Sequence, residues 1–256
     1  MFVAVLLAAG ACAGSIGVEE EERLGDEYAA AIAQEIPLIQ DPGALAALNR
    51  FGAALVQHAD SSAREYRFHL VDSPDVNAFA IPGGHVFVNR GLVEQADELA
   101  EFAGVLAHEI AHVTERHGLE QVEKRQRAGL LVRLVYLVLD REPGLAEQIA
   151  IQGGGAAVFA RYGRDAEREA DQRAVGILRA AGYDPEGMAT FFEDLLREQQ
   201  RRPSTFEQWF STHPTSEERV HNTRALIAAS PAPRGRAPVR DTPEYQAFRA
   251  SVKELR

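Results

Sequence analysis

The chain has 256 residues, 46% hydrophobic and 25% charged, an ordinary globular balance with enough length for one large domain or two small ones. Its 27 basic and 38 acidic side chains give a net charge of −11, which argues against a nucleic-acid partner, since phosphate binding needs clustered Lys and Arg. The sole cysteine, Cys12, excludes an intrachain disulfide.

Residues 2–11 are apolar and end in small residues, followed by Cys12-Ala13-Gly14-Ser15, so residues 1–17 read as a leader. The cysteine after Ala9-Gly10-Ala11 resembles a bacterial lipoprotein processing site and would tether the chain to a membrane. No Lys or Arg precedes the run, and Ala9 stands where leucine is usual. Either the start lies upstream, or this is an ordinary Ala-x-Ala cleavage site. The competing reading is a short buried segment, and the run falls short of the roughly 20 residues that span a bilayer.

Glu19-Glu20-Glu21-Glu22 opens a helix as N-terminal dipole partners and a solvated face. Leu24, Tyr28, Ile32 and Ile36 give it an apolar stripe, and Pro37 closes it. Asp41-Pro42 is a cap followed by proline at the first helical position. The helix it starts carries Leu45, Leu48, Leu55 and Val56 to about His58. Tyr66 to Asp72, Val76 to Ile81 and His85 to Asn89 read as strands, with Pro82-Gly83-Gly84 as a turn. A small antiparallel sheet is expected, with His69 and His85 on its surface.

Leu99 to Gly118 is the stretch around which the chain is organised. Leu99, Phe102, Ala103, Leu106, Ile110 and Val113 form an apolar stripe at helical spacing. Asp97 is the expected N-cap, and Gly118 the C-terminal stop. His108, Glu109, His112 and Arg116 fall away from that stripe, and His108-Glu109-Ile110-Ala111-His112 is an H-E-x-x-H motif. Residues four apart share a helix face, so both imidazoles reach one point. They supply two of the three protein ligands of a catalytic zinc, which lowers the pKa of a bound water toward about 7. Glu109 is placed to take that water's proton.

Residues 119–155 hold a very apolar helical pattern from Leu130 to Leu139, then Pro143-Gly144 and Gly153-Gly154-Gly155. They read as a core or cleft-covering helix with a glycine joint, a lid over the metal, or a membrane-surface contact. Next, Glu167-Arg168-Glu169-Ala170-Asp171 opens a helix capped by Asp165 and ended by Gly182 and Pro185. Glu167 and Asp171 share a face, so Glu167 can ligate while Asp171 accepts a hydrogen bond from a ligand imidazole. Glu169 is a rival ligand, about 200° from Glu167 around the helix. Beyond Pro185, Met188, Phe191, Phe192, Leu195 and Leu196 face a core, and Phe206, Trp209 and Phe210 form an aromatic cluster. Thr215-Ser216-Glu217-Glu218 reads as a capping box for a helix through Leu226. His58, His117 and His221 have no motif support. The Pro- and Arg-rich residues from Ser230 read as a linker or wrapping tail, with a short helix in 245–256.

H-E-x-x-H followed by E-x-x-A-D resembles the gluzincin-type zinc metallopeptidases of the prenyl-protein (CAAX) endopeptidase family, which includes bacterial envelope quality-control proteases and a mitochondrial inner-membrane relative. Asn77-Ala78-Phe79-Ala80-Ile81-Pro82-Gly83-Gly84, Val86-Phe87-Val88-Asn89-Arg90-Gly91-Leu92, and His213-Pro214 with Arg219 match it too. The resemblance covers about residues 18–230 and implies one zinc per chain on His108, His112 and Glu167, with Glu109 as catalytic base. Asp171 orients a ligand histidine. An edge strand at Asn77, Ala78 and Phe79 takes the substrate as an added strand. His213 either donates to the tetrahedral oxyanion or becomes a fourth zinc ligand that silences the enzyme. Arg219 holds that loop or the substrate.

The expected fold is a mainly helical α+β zincin with its sheet beside the metal helix. It divides into a leader (1–17), a metallopeptidase domain (18–230) and a tail (231–256). The expected function is a periplasmic or cell-envelope zinc endopeptidase acting on misfolded or envelope proteins. The alternative is a zinc-bearing chaperone or assembly factor with a self-silenced site. A structural zinc protein fits poorly, since closed sites prefer four Cys or His ligands.

Overall fold

Every residue from Leu99 to Val113 is buried, and the helix they form, α4 (Leu99–Thr114), is the axis of the fold. The structure is a computed structural model that describes residues 16–62, 64–124, 162–230 and 237–255. Cys12, the apolar stretch from Leu130 and the triple glycine lie outside the described residues. The elements before α4 are α1 (Val18–Glu35), α2 (Pro42–Ala59), β1 (Arg67–Val71), β2 (Ala78–Ile81), β3 (His85–Asn89) and α3 (Arg90–Gln95). After it come α5 (Arg164–Ala181), α6 (Glu186–Gln199), α7 (Pro203–Thr212), α8 (Glu217–Ala229) and α9 (Pro243–Glu254). Among the described residues no helix is long and apolar enough to cross a membrane.

α4 lies against α2, α5, α6 and β2. Its apolar stripe becomes an all-round surface because neighbours cover each side. Leu48 and Leu55 of α2, Leu178 of α5, and Met188 and Phe191 of α6 join Phe102, Leu106 and Ile110 in one core. Two glycines allow the α4–α6 approach. A Cβ on Gly187 would lie 2.4 Å from the Ala100 carbonyl carbon, and one on Gly104 would lie 2.9 Å from the Met188 Cα.

Caps fix where the helices begin. Asp41 accepts from the Ala44 N–H at 2.8 Å, as its sequence predicts. Three expected caps shift by a residue or two. Ser216, not Thr215, caps α8, by accepting from the Arg219 N–H at 3.2 Å. Glu98, not Asp97, caps α4, in a capping box with Glu101. Gly163 precedes α5, and Asp165 lies in its first turn paired with Arg168 at 2.7 Å. At the far end of α4, Arg116 takes the left-handed conformation (φ 57°) and turns the chain two residues before Gly118.

The sheet is mixed, which corrects the antiparallel expectation. Its order is β1-β3-β2: β2 pairs antiparallel with β3, and β1 pairs parallel with β3. The tight turn at Gly83 and Gly84, both at positive φ, makes the β2–β3 hairpin. β3 then lies between β1 and β2, so the strand beside β1 is one that runs in its own direction. Both faces are covered. Phe68, Leu70, Ala78, Ala80, Val86 and Val88 face the main core. Phe79, Ile81 and Phe87 face a smaller cluster roofed by Ala29 and Ile32 of α1. Under that roof His69, Phe87 and Phe79 stack across the three strands, with ring centroids 4.4 and 4.8 Å apart. His85, expected on the surface, is buried there, 3.0 Å from His69 and from Asp26 of α1.

Glu21 also departs from the solvated acidic face expected of it. It is 1% exposed and pairs with Arg64 at 3.3 Å and Arg116 at 2.9 Å. At the other end of the chain, α9 places Tyr245 and Phe248 among Phe51 and Phe102. The Tyr245 hydroxyl donates to the Ala96 carbonyl at 2.8 Å.

The α4–α6 contact yields a paired test. Gly187→Ala is expected to destabilise the protein by about 1–3 kcal/mol through overpacking against backbone. Gly176→Ala, on the open side of α5 with nothing near its Cβ position, is expected to stabilise it by about 0.5–1 kcal/mol through reduced chain entropy. Urea unfolding of the two variants beside the parent checks both signs.

Candidate metal centre

Two crossing helices build the centre. α4 brings His108, Glu109 and His112, and the first two turns of α5 bring Glu167 and Asp171. The residue capping the C-terminus of α7 brings His213, and the first turn of α8 brings Arg219. Ligand atoms of His108, His112, Glu167 and His213 lie within 4.8 Å of one another, and all four residues are buried.

The spacing matches a small cation. Four ligands held about 2.0–2.1 Å from zinc in a tetrahedron stand about 3.3 Å apart. His108 Nε2 and His112 Nε2 are 3.0 Å apart. Glu167 Oε1 is 3.4 Å from His112 Nε2, and Glu167 Oε2 is 3.7 Å from His108 Nε2. His213 Nδ1 is 3.1 Å from Glu167 Oε1, and its Nε2 is 3.5 Å from Glu109 Oε1.

Charge points the same way. Glu109, Glu167 and Asp171 are buried carboxylates, and Arg219 is the buried guanidinium among them. With neutral imidazoles that leaves excess negative charge in a buried site, costly unless a cation is held there. Both Glu109 carboxylate oxygens and Glu167 Oε2 lack a hydrogen-bond partner. Glu167 Oε2 does lie 2.7 Å from Arg219 Nη1, a charge contact that is misaligned for a hydrogen bond.

Burial works against the charged form of each of these groups, and neighbours decide the outcome. It pushes the Glu109 carboxyl up, only partly offset by His213 and His108. For Glu167 burial is outweighed by His213, His112 and Arg219, which hold it well below the usual carboxylate range. For Asp171 it is outweighed by Arg219 and His108. Burial also holds His112 well below the ordinary imidazole value, whereas Glu167 and Glu109 overcome it at His213 and raise that ring.

Around these residues the outer contacts are specific. Asp171 Oδ1 lies 3.0 Å from His108 Nδ1, the contact its spacing predicts. Arg219 grips Asp171 with two hydrogen bonds of 2.8 and 2.7 Å, and its guanidinium lies 4.4 Å over the Phe192 ring. It also donates to the Pro214 carbonyl at 3.4 Å. Arg219 is 8% exposed, and these contacts tie it to Asp171 and to the loop that carries His213. Asn77 and Ala78 are buried, and the Phe79 ring is stacked on Phe87 under α1. Their side chains do not line an open surface, and what β2 offers is the backbone of an edge strand.

Glu169, the rival ligand, points away from the cluster, 61% exposed and 3.4 Å from His117. His117 and Tyr162 belong to the site although the sequence singles out neither. His117 Nδ1 is 2.8 Å from His112 Nδ1. The Tyr162 ring stacks on His112 at 3.9 Å and 13°. His117 lies five residues past His112, off its helix face. It comes back because Arg116 ends α4 in the left-handed region, and the H-E-x-x-H-x-x-x-x-H spacing was the available signal.

Residues 44–227 match the model of Peptidase family M48, and that span contains all the cluster residues. The chain is 33% identical to the beta-barrel assembly-enhancing protease of Escherichia coli K12 over 222 residues, covering 84% of this chain and 45% of that protein. It is 29% identical to the metalloprotease YcaL of the same organism, over 71% of this chain and 69% of YcaL. It is 30% identical to the mitochondrial metalloendopeptidase OMA1 of Schizosaccharomyces pombe, over 61% of this chain and 45% of the relative. The chain thus spans about half the length of the assembly-enhancing protease it matches. A buried His-His-Glu-His cluster, three of its members on α4 and α5 and the fourth at the end of α7, inside a match over most of the sequence, places this chain in peptidase family M48.

Proposed function

We propose that the chain is a zinc-dependent endopeptidase of the bacterial cell envelope, with His108, His112 and Glu167 as ligands and Glu109 as general base. The observation that carries the reading is Glu109: a fully buried carboxylate without a hydrogen-bond partner, beside donors at zinc spacing. Bound there, zinc supplies a Lewis acid and lowers the pKa of a water to about 7. Glu109 takes the proton of the attacking water as its oxygen bonds to the scissile carbonyl carbon. The same carboxyl passes the proton to the amine as the C–N bond breaks. Burial pushes its carboxyl up, the direction that favours taking up the proton of the water. Asp171 holds His108 with its Nε2 lone pair toward the cluster, and Arg219 holds Asp171. The edge strand β2 takes the substrate through backbone hydrogen bonds, a mode tolerant of sequence that suits misfolded envelope proteins as substrates. Similarity to a beta-barrel assembly-enhancing protease supports envelope proteins as the class of substrate, and the apolar leader with Cys12 after Ala9-Gly10-Ala11 supports export and a membrane tether.

A second reading rests on His213. Its Nδ1 is within ligand distance of the cluster, so it can fill the position that hydrolysis needs open. The chain would then be a zinc-bearing assembly factor whose protease site is self-silenced.

Metal analysis beside casein hydrolysis separates the two. Glu109→Gln is expected to keep one zinc per chain and to lower kcat by roughly 10²–10⁴-fold. Near-normal hydrolysis by that variant removes Glu109 from the base role. If His213 silences the site as a fourth ligand, His213→Ala should raise hydrolysis at unchanged zinc content, as removal of a competing ligand does. A fall of roughly 10²–10³-fold would instead make His213 the oxyanion donor.

A further inference from the structure

We infer that His117 and Glu169 form a positioning relay that fixes the ring orientation and tautomer of His112, with Tyr162 clamping the face of the same ring. The inference rests on His112 as a zinc ligand, as proposed above, with its Nε2 toward the cluster.

Proton accounting along the contacts gives one consistent assignment. His112 Nε2 faces the cluster, 3.0 Å from His108 Nε2 and 3.4 Å from Glu167 Oε1. To ligate there as a neutral imidazole, His112 must carry its proton on Nδ1. That Nδ1–H points at His117 Nδ1, 2.8 Å away, which must therefore accept. An accepting Nδ1 puts the proton of His117 on Nε2, and that N–H faces Glu169 Oε2 at 3.4 Å. Each nitrogen then has a single role, and the chain ends on a group that can only accept when ionised. Tyr162 restrains ring rotation, stacked at 3.9 Å on one face of His112.

The geometry also explains why the two ligand histidines are held differently. On α5, Glu167 and Asp171 share the inward face, and Asp171 reaches His108 directly. Glu169 lies on the other side of that helix and meets α4 only beyond its end, where the turn at Arg116 brings His117 between them. A single carboxylate serves His108, and a carboxylate acting through an imidazole serves His112. The first link of the relay is buried and short, whereas the last is long and 61% exposed at Glu169. The effects should be graded accordingly, large at His117 and small at Glu169.

The test uses the full chain and zinc, with a chromogenic chelator as competitor. His117→Leu removes the acceptor, and His117→Asn has similar size and restores an amide oxygen near the Nδ1 position. The relay expects His117→Leu to weaken zinc binding by roughly 10–100-fold. It expects His117→Asn to recover most of that loss, and Glu169→Gln to cost no more than a few-fold. Imidazole ¹⁵N shifts of the zinc-loaded parent should show His112 protonated at Nδ1 and His117 at Nε2, which needs no variant to fold. Parent-like zinc affinity in His117→Leu, or the opposite tautomer at His117, overturns the relay while leaving the metal assignment standing. A parent that binds no zinc overturns the ligand assignment and the relay with it.

Discussion

Burying three carboxylates where α4 crosses α5 is the constraint on which the rest of the structure depends. An unpaired buried charge is strongly unfavourable, and one guanidinium, Arg219, cannot balance Glu109, Glu167 and Asp171 alone. Removing these groups from water strengthens every electrostatic interaction among them, but only while the geometry is held. That requirement accounts for the burial of α4 on all sides, for the glycines that let α6 approach it, and for the double hydrogen bond by which Arg219 ties α8 to α5.

The same requirement explains what happens at the ends of α4. Its first N–H groups are satisfied from distant sequence: Leu99 donates to Asp241 at 3.1 Å and Ala100 to the Arg240 carbonyl at 2.7 Å. Its last turn is held by Arg64, which donates to the Val113 carbonyl at 3.3 Å while pairing with Glu21 of α1. Segments near both ends of the described chain therefore fix the helix that carries His108 and His112. A helix terminus has unsatisfied backbone groups, and supplying their partners from elsewhere in the fold sets its axial position. The centre is thus coupled to α1 and to the segment before α9.

What the sequence made legible was mostly local. H-E-x-x-H works at a spacing of four on one helix, and E-x-x-x-D does the same on α5, so each half of the centre could be read within one turn. Caps are local too: Asp41 stands where its side chain predicts, and the α8 cap falls on Ser216, one residue past the expected Thr215. What escaped depends on the crossing of distant segments. Glu21 looks like any member of an acidic run until Arg64 and Arg116 are brought against it. The strand pattern gives faces but not neighbours, and the parallel β1–β3 pair is a matter of order, which alternation does not encode. His85 carries no local mark of burial, and it is buried because α1 covers the outer face. His117 lies off the motif's face and returns only through one left-handed residue.

The centre divides into a fixed part and an adjustable part. His108, Glu109, His112 and Glu167 all sit inside helices whose packing and hydrogen bonds would have to break for them to move. His213 sits at the C-cap of α7, on a loop that returns to α8 through Pro214, Thr215 and Ser216. It is held by its neighbour Trp209, at a ring distance of 5.0 Å, by Glu167, and by Arg219 through the next carbonyl. Shifting a loop residue leaves the α4–α5 crossing intact, so its position can change at a fraction of the free energy that moving a helical ligand requires. If hydrolysis is switched in this protein, the physically cheapest place for the switch is therefore the one ligand-distance histidine that no helix interior holds. Arg219 is then the group through which that loop and the Asp171–His108 pair are read together.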